Sequence, residues 1–322
     1  KKHSMKILAN DGISENGKIK LQSNGFRVIS SKVEQEKLIE FINANAIEVL
    51  LVRSATQVRK ELIDRCINLK IIGRGGVGMD NIDVEYAKNK GIHVINTPSA
   101  SSISVAELVF AHFFNLARYL HNSNRSMPLE GEKKFKILKK KYSKGTELNK
   151  KTLGIIGFGR IGREVAKIGI GLGMNIIFHD KHINESIINL NFFDDQKVNF
   201  KINSSSFNTV LKNSDFISFH IPKINDKALI GKKEFKMMKD GVCIVNTARG
   251  GIINEKELIS ELEHEKVKSV GLDVFEHEPQ PSVKILMNEK ISLSPHIGGS
   301  TIESQNRIGL ELAEQIINIY KK

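Results

Sequence analysis

Short β-branched, apolar runs alternate with amphipathic stretches along most of the chain, and this alternation constrains the fold more than any other feature. The runs fall at 5–8, 26–29, 49–52, 70–72 and 93–95, and then at 153–156, 175–178, 216–219, 242–245, 269–272 and 291–293. Strands separated by helices need crossover connections, so they lie parallel with helices on both sheet faces. Two series predict two sheets and hence an α/β chain of two doubly wound parallel-sheet domains. A length of 322 residues with 40% apolar content is enough for two cores of ordinary size.

The break between the series sets the domain order. Asn96-Thr97-Pro98 stops the fifth run, and a helical pattern follows at 105–120, with Ser104-Val-Ala-Glu107 reading as its capping box. A last helix is predicted over 303–320, with a second box in Ser300-Thr-Ile-Glu303. The expected arrangement is a discontinuous domain, 5–97 with 297–322, around an inserted nucleotide domain, 98–296, with the reaction cleft between them. The segment 181–208, rich in Asn, Ser and Phe, reads as loop plus a short helix.

Charge and composition narrow the classes. The formal net charge is +13, but Lys133, Lys134, Lys136, Lys139, Lys140, Lys141 and Lys144 supply seven of it in one short segment, leaving +6 for the rest. No zinc-finger spacing and no aromatic-rich RNA-binding strand accompanies it, so no nucleic-acid partner is expected. The lysine run reads as a solvated, mobile loop; the functional alternative is that it crosses a dimer and adds positive potential to the partner's phosphate site. No stretch of 18 uncharged apolar residues exists, so no membrane span is expected. Lys1-Lys2-His3-Ser4-Met5 lacks the apolar run of a signal peptide, and Met5 is the expected native start. Cys66 and Cys243 fit no metal spacing and read as reduced thiols of a cytoplasmic protein.

Gly157-x-Gly159-x-x-Gly162 follows an apolar run and opens a helical stretch. Glycine at the first position permits a tight turn, at the second lets amides approach a pyrophosphate, and at the third lets helix and strand pack closely. A diphosphate on that helix N-terminus meets unpaired N–H groups. Asp180 follows at the end of the next strand, placed to accept from a ribose 2′-OH and to repel a 2′-phosphate, so NAD is expected over NADP. Gly169, Gly171 and Gly173 in the next helix have no evident reason beyond close packing.

A nicotinamide-dependent reaction at C2 of a 2-oxo acid needs a cation for the carboxylate, a proton donor for the forming alkoxide, and a group that tunes the donor. Arg249, at a strand end before two glycines, is the best cation. His296, between Pro295 and Gly298-Gly299, is the best acid–base group. Glu278 is the candidate partner, with Glu276 open as an ordinary loop acid. Cys243 lies in a buried strand pattern without a base, and His277 has no further metal ligands at suitable spacing.

Arg53-Ser-Ala-Thr, Gly73-Arg-Gly-Gly-Val-Gly-Met-Asp-Asn-Ile-Asp83, Asn96-Thr-Pro98, Gly145-Thr-Glu-Leu148, Gly154-Ile-Ile-Gly-Phe-Gly-Arg-Ile-Gly-Arg163, Asn246-Thr-Ala-Arg-Gly-Gly251, Asp273-Val-Phe-Glu-His-Glu-Pro279 and Ser294-Pro-His-Ile-Gly-Gly299 together closely resemble the D-2-hydroxyacid dehydrogenase family. The resemblance runs from about residue 5 to the end and is nearest to the branch that oxidises 3-phosphoglycerate. It implies a flavodoxin-like substrate domain, an inserted Rossmann domain and NAD. It gives Arg249, Glu278 and His296 the catalytic places, Glu278 being preferred because the family's acid immediately precedes the proline. Arg160 and Ile161, with the three glycines, fall at diphosphate contacts, and Asp180 at the ribose. His220, Ile221, Pro222, Thr247, Ala248, Asp273, Gly298, Gly299 and Val77 fall at the remaining cofactor contacts. Val77 and Ile221 stand where threonine is common. Gly76, Val77 and Gly78 would hold the substrate carboxylate, Arg53 and Arg74 match positions associated with the substrate phosphate, and Ser54 falls among the substrate-binding residues.

The chain departs from the family pattern in lacking tryptophan, with Phe135 and the lysine run in its place, and in a longer stretch after Asp180. No regulatory domain is expected after Tyr320. The resemblance also implies a homodimer through the nucleotide domains, and no metal. Two other readings stand beside the first: a glyoxylate/hydroxypyruvate reductase, and a corepressor-like protein that binds NAD and acts through partners.

Overall fold

The computed structural model describes residues 4–223 and 227–321; the leading Lys1-Lys2-His3 lies outside them. The chain opens with β1 (Lys6–Ala9), α1 (Glu15–Ser23), β2 (Arg27–Ile29), α2 (Gln35–Ala44), β3 (Val49–Val52), α3 (Lys60–Arg65), β4 (Ile71–Arg74), α4 (Val84–Asn89) and β5 (His93–Asn96). Then come α5 (Ser102–Arg118), α6 (Leu120–Lys141), β6 (Thr152–Ile156), α7 (Arg160–Gly171), β7 (Asn175–His179), β8 (Glu185–Asn191), β9 (Lys197–Asn203), α8 (Phe207–Asn213) and β10 (Phe216–Phe219). It ends with α9 (Lys232–Met237), β11 (Val242–Asn246), α10 (Glu255–Glu263), β12 (Val267–Leu272), α11 (Val283–Leu286), β13 (Ile291–Leu293) and α12 (Ile302–Tyr320). Two compact units result, Lys1–Ser104 with Gly299–Lys322, and Val105–Gly298. Among the described residues no helix is long and apolar enough to cross a membrane.

In the first unit five parallel strands take the order β2-β1-β3-β4-β5, a flavodoxin-like topology. Its central strands carry apolar residues on both faces because helices cover both. Leu38, Ile42, Leu62 and Ala87 fill one side against Leu8, Leu50 and Ile72. Leu21, Ala313 and Ile316 fill the other against Ile7, Val49 and Ile71. Helices α1 and α12 cross closely at two glycines: a Cβ on Gly17 would lie 2.6 Å from the Gly309 carbonyl carbon.

The expected capping boxes are displaced. Helix α12 starts one residue later than its box implies, because Thr301 holds the extended backbone that an N-cap needs and its hydroxyl accepts from Ser304 N at 3.1 Å. Helix α5 begins at Ser102, so Ser104 is an interior residue whose hydroxyl lies 2.8 Å from Thr301 Oγ1.

In the second unit six parallel strands take the order β13-β12-β11-β10-β6-β7. Val109, Phe113 and Val165 pack one face against Leu153, Ile155 and Phe178. Val210, Phe235 and Leu258 pack the other against Ile217, Ile244 and Val270. The glycines around α7 now have reasons. A Cβ on Gly169 would lie 2.8 Å from Ile176 Cδ1 and 3.1 Å from Leu153 Cδ2, and Gly173 turns the chain beyond the helix at φ +73°. Gly171 faces open space.

Two segments correct the sequence reading. Residues 185–203 form an antiparallel hairpin, β8 with β9, where loop was expected. Val198, Phe200 and Ile202 alternate with Lys and Asn at period two, a strand signal obscured by the Asn content. Ile188 is buried against the core with Leu190 and Ile202 beside it, so burial outweighs the poor strand propensity of Asn. Lys133 to Lys141 of the lysine run end α6 as helix, not as a loop, and only Lys144 lies beyond it. Gly131 and Leu138, seven residues apart, are buried and hold one face down, while the lysines stay exposed; Lys134 leaves helical geometry at φ −119°.

The α1–α12 crossing generates a test with an unusual sign. Alanine normally stabilises a helix over glycine by about 1 kcal/mol. Here Gly17→Ala should destabilise by about 2 kcal/mol through overpacking, whereas Gly171→Ala should be neutral or stabilising. Urea unfolding midpoints of both variants check this.

Candidate active site

The glycine turn sits where the strand order of the second unit reverses, between β6 and β10. Gly157 has φ +92°, and a Cβ there would collide with the His220 carbonyl oxygen, so only glycine lets the two strand ends stay adjacent. A Cβ on Gly162 would collide with the Gly157 carbonyl, which fixes how closely α7 packs on the turn. Gly159, by contrast, has no atom of the described residues within 4 Å of an added Cβ. It is the N-cap of α7 and offers no side chain to the helix's first amides. Open space before uncapped amides fits a diphosphate, and Arg160 and Ile161 form the first turn there.

Asp180 follows β7. Burial works against its charge, but N–H groups of His182, Phe158 and Ile183 donate to it at 2.8, 2.7 and 3.1 Å and hold its carboxyl below the usual range. It therefore remains anionic while tying the β6 and β7 loops together. Phe158 stacks on Phe178 with centroids 3.8 Å apart beneath this turn. His220, at the end of β10, is half-buried, lies 2.7 Å from Ser218 Oγ through Nε2, and its ring is pushed down to about 3 by desolvation, so it is neutral. Ile221 and Pro222 follow it.

The loop after β11 is folded on Asn246, whose amide donates to Arg249 O at 2.9 Å and whose oxygen accepts from Ala248 N at 3.0 Å. Thr247 is buried here and its hydroxyl has no hydrogen-bond partner among the described residues. Arg249 Nη1 donates to Ala248 O at 2.7 Å. Asp273, fully buried at the end of β12, accepts from Ser294 Oγ at 2.6 Å and from Ile297 N and Gly298 N at 2.8 Å each. Burial raises its carboxyl, opposed by those three donors.

His296 stands at φ +54°, a conformation unusual for a residue with a Cβ. Its Nδ1 is 2.7 Å from Glu278 Oε2, and Glu278 Oε1 accepts from Phe275 N at 3.0 Å. The Glu278 contact raises His296 above its ordinary 6.5, against burial and Arg249. Burial opposes the charge of Glu278, yet its bonds from His296 and Phe275 bring its carboxyl below the usual range. Since a carboxylate only accepts, Nδ1 carries hydrogen and Nε2 is the nitrogen that gains and loses a proton. Glu278, which the resemblance prefers over Glu276, is the acid that meets His296. Glu276 exchanges hydrogen bonds with Glu255: each carboxylate accepts from the other's backbone N–H at 2.8 Å. Arg249, Glu278 and His296 thus gather at the ends of β11, β12 and β13, and Arg249 is near enough for its charge to lower both partners.

The first unit gathers Arg53, Ser54, Arg74 and Gly76–Gly78, together with Val77 and Gly299 from the expected cofactor set. Asn81, which sequence reasoning passed over, joins them: its amide donates to Arg53 O at 2.7 Å and to Thr56 O at 2.6 Å, and its oxygen accepts from Arg74 Nε at 3.1 Å. Asp11 was missed too. It accepts from Arg53 N at 2.7 Å and Thr56 N at 3.2 Å and pairs with Lys32. With Arg53 it lines a cavity of about 270 Å³ at the carboxyl ends of β1 and β3, the switch point of this sheet. The hints lay in an Asn within the Gly-rich motif and an Asp just past a strand. Gly76 has φ +150°, and a Cβ there would collide with Arg74 Nη1. Among the described residues no group of three His, Cys, Asp or Glu side chains is arranged to hold a metal.

Residues 110–298 match the family model of the D-isomer specific 2-hydroxyacid dehydrogenase NAD binding domain. The chain is 44% identical over 293 residues to a hydroxypyruvate reductase of Thermotoga maritima, covering 90% of this chain and 89% of that protein. It is 39% identical over 321 residues to a D-3-phosphoglycerate dehydrogenase of Methanocaldococcus jannaschii, covering 98% of this chain but only 58% of that protein. Among solved structures, a glyoxylate reductase from Paecilomyes thermophila superimposes with a TM-score of 0.82 at 31% identity, covering 100% of this chain and 97% of that one. An NAD+-bound 3-phosphoglycerate dehydrogenase of Entamoeba histolytica gives 0.76 at 29% identity, with coverage of 99% and 96%. This chain therefore belongs to the NAD-dependent D-2-hydroxyacid dehydrogenases, oxidoreductases built from two parallel-sheet α/β domains.

Proposed function

We propose that the chain is a D-3-phosphoglycerate dehydrogenase, interconverting 3-phosphoglycerate and 3-phosphohydroxypyruvate with NAD, the oxidation that opens the phosphorylated route to serine. The observation that carries the acid–base chemistry is the 2.7 Å contact of His296 Nδ1 with Glu278 beside Arg249. The observation that favours a phosphorylated acid is the tie through Asn81 between the two arginine-bearing loops, which fixes Arg53 and Arg74 as a pair. When bound, the nicotinamide accepts or supplies the hydride. In reduction His296 Nε2 donates the proton to the C2 oxygen, and in oxidation it takes it back. Arg249 pairs with the carboxylate and polarises the carbonyl. Glu278 holds the imidazole in one tautomer and stabilises its charged form. The amides of Gly76–Gly78 hold the carboxylate end, and Asp180 favours NAD over NADP through its negative charge.

The second reading is a glyoxylate or hydroxypyruvate reductase, favoured by the Thermotoga maritima relative, which this chain matches over most of its length. A homodimer, located in the cytoplasm, completes the proposal; exposed Phe114, Leu120, Leu129, Phe135 and Ile137 on α5 and α6 support an association face.

Initial rates of NADH oxidation with 3-phosphohydroxypyruvate, hydroxypyruvate and glyoxylate separate the readings. Preference for either plain acid would replace the first by the second. Arg53→Ala or Arg74→Ala should raise KM for the phosphorylated acid about tenfold or more and leave hydroxypyruvate little changed, since a charge-assisted contact is worth about 1.5–3 kcal/mol. Equal losses on both acids remove the phosphate assignment.

The pH dependence has a definite sign. Reduction needs the imidazolium form, which Glu278 preserves to higher pH, so reductive kcat/KM should be full at low pH and fall through a pKa above 6.5. Oxidation needs the neutral ring and should rise through the same value. Glu278→Gln removes the group that raises the pKa, so the reductive limb should move to lower pH; a stationary limb would refute the pairing.

A further inference from the structure

A buried histidine outside the trio is joined to it by a hydrogen-bond chain whose hydrogens have one consistent arrangement. His112 on α5 is 4% exposed. Its Nδ1 lies 2.9 Å from Ser292 Oγ and its Nε2 3.0 Å from Ser294 Oγ, both serines on or just past β13. Ser294 donates its only hydroxyl hydrogen to Asp273 Oδ1, which also accepts from Ile297 N while Oδ2 accepts from Gly298 N. Toward His112 it can then only accept, so His112 Nε2 carries a hydrogen. Burial pushes this imidazole down to about 4, so the ring is neutral and Nδ1 is bare. Nδ1 accepts from the Ser292 hydroxyl, whose oxygen in turn accepts from Asn115 Nδ2 at 2.6 Å. Asn115 is itself oriented by the backbone N–H of His121, 2.6 Å from its oxygen. Every bond in the chain points toward Asp273.

At that end Asp273 binds the amides of Ile297 and Gly298, the two residues after His296. These bonds brace His296 in its left-handed backbone conformation, which is uncommon for a residue with a Cβ. Packing alone would not select an imidazole at 112. The space is admitted by Gly271 on β12, where a Cβ would lie 2.7 Å from His112 Cβ, and an apolar side chain would fill it without two polar atoms to satisfy.

We propose that His112 is a positioning residue for hydride transfer: by orienting the Ser294 hydroxyl onto Asp273 it fixes the 296–298 backbone that presents the His296 imidazole. This rests on the acid–base role of His296 proposed above. His112→Leu removes both ring bonds at similar volume, whereas His112→Gln keeps an N–H directed at Ser294. His112→Leu and Ser294→Ala should each lower kcat about tenfold with KM for the 2-oxo acid within about twofold. His112→Gln should recover most of that loss, and the double variant His112→Leu/Ser294→Ala should be no slower than Ser294→Ala alone. Amide hydrogen exchange at 297 and 298 should speed up in His112→Leu and Ser294→Ala but not in His112→Gln. Unchanged exchange, multiplying losses in the double variant, or equal impairment by Leu and Gln would overturn the proposal. If His112→Leu fails to fold, Ser294→Ala with and without His112→Gln decides it: the second substitution must then add nothing. Full turnover by His296→Asn would instead overturn the acid–base reading, while the exchange measurement still judges the chain from His112.

Discussion

Parallel sheets leave their carboxyl-end loops with backbone N–H groups that no ladder pairs, and aspartates just past the strands meet that demand here. Asp11, Asp180 and Asp273 each follow a strand and each accept amides from elsewhere in the chain: Arg53 and Thr56, then Phe158, His182 and Ile183, then Ile297 and Gly298. An unpaired amide or an unpaired carboxylate in these places would be costly, and pairing them removes both costs together. The loops so fixed bear Arg53, the glycine turn and His296. Functional geometry in both units therefore rests on the same device.

The aspartates differ in how burial and donors balance. At Asp11 and Asp180 the donors outweigh burial, and the carboxyl is held below the usual range. At Asp273 burial wins and the carboxyl is raised. The difference suits their surroundings. Asp180 keeps its charge, which on the proposed reading favours a ribose hydroxyl over a phosphate. Asp273 is sealed inside, where its two oxygens are wholly occupied by backbone and Ser294. His296 takes its raised affinity for a proton mainly from Glu278, and Arg249 pulls in the opposite direction. On the proposed reading, in which Arg249 holds the substrate carboxylate, the same arginine would couple substrate binding to the proton affinity of His296.

Much of this was legible in the sequence. The alternation of runs gave the parallel strands, and glycine spacing gave the turn after β6, because both are local consequences of period and backbone freedom. Arg249 and His296 stand out by residue type at strand ends, whereas the preference for Glu278 over Glu276 came from the resemblance. Less legible was the hairpin after Asp180, where Asn-rich composition hid a period-two pattern that only burial of Ile188 makes decisive. The helical lysine run was hidden likewise, because its anchors are a glycine and one leucine among many charges. The displaced caps arose because several hydroxyl residues stand in line, and backbone conformation selects among them.

What the sequence by itself determined is the set of elements and the residue types at strand ends, since these depend on periodicity and on side-chain chemistry that a residue carries wherever it lies. What only the tertiary structure decided is pairing. Glu278 and not Glu276 meets His296 because Glu276 is already engaged with Glu255, and that depends on which loops face each other. Asn81, Asp11, Ser294 and His112 are ordinary in sequence and acquire their places only through partners far along the chain. Hydrogen bonds are short and directional, so their partners are fixed by the folded geometry, which no local pattern encodes.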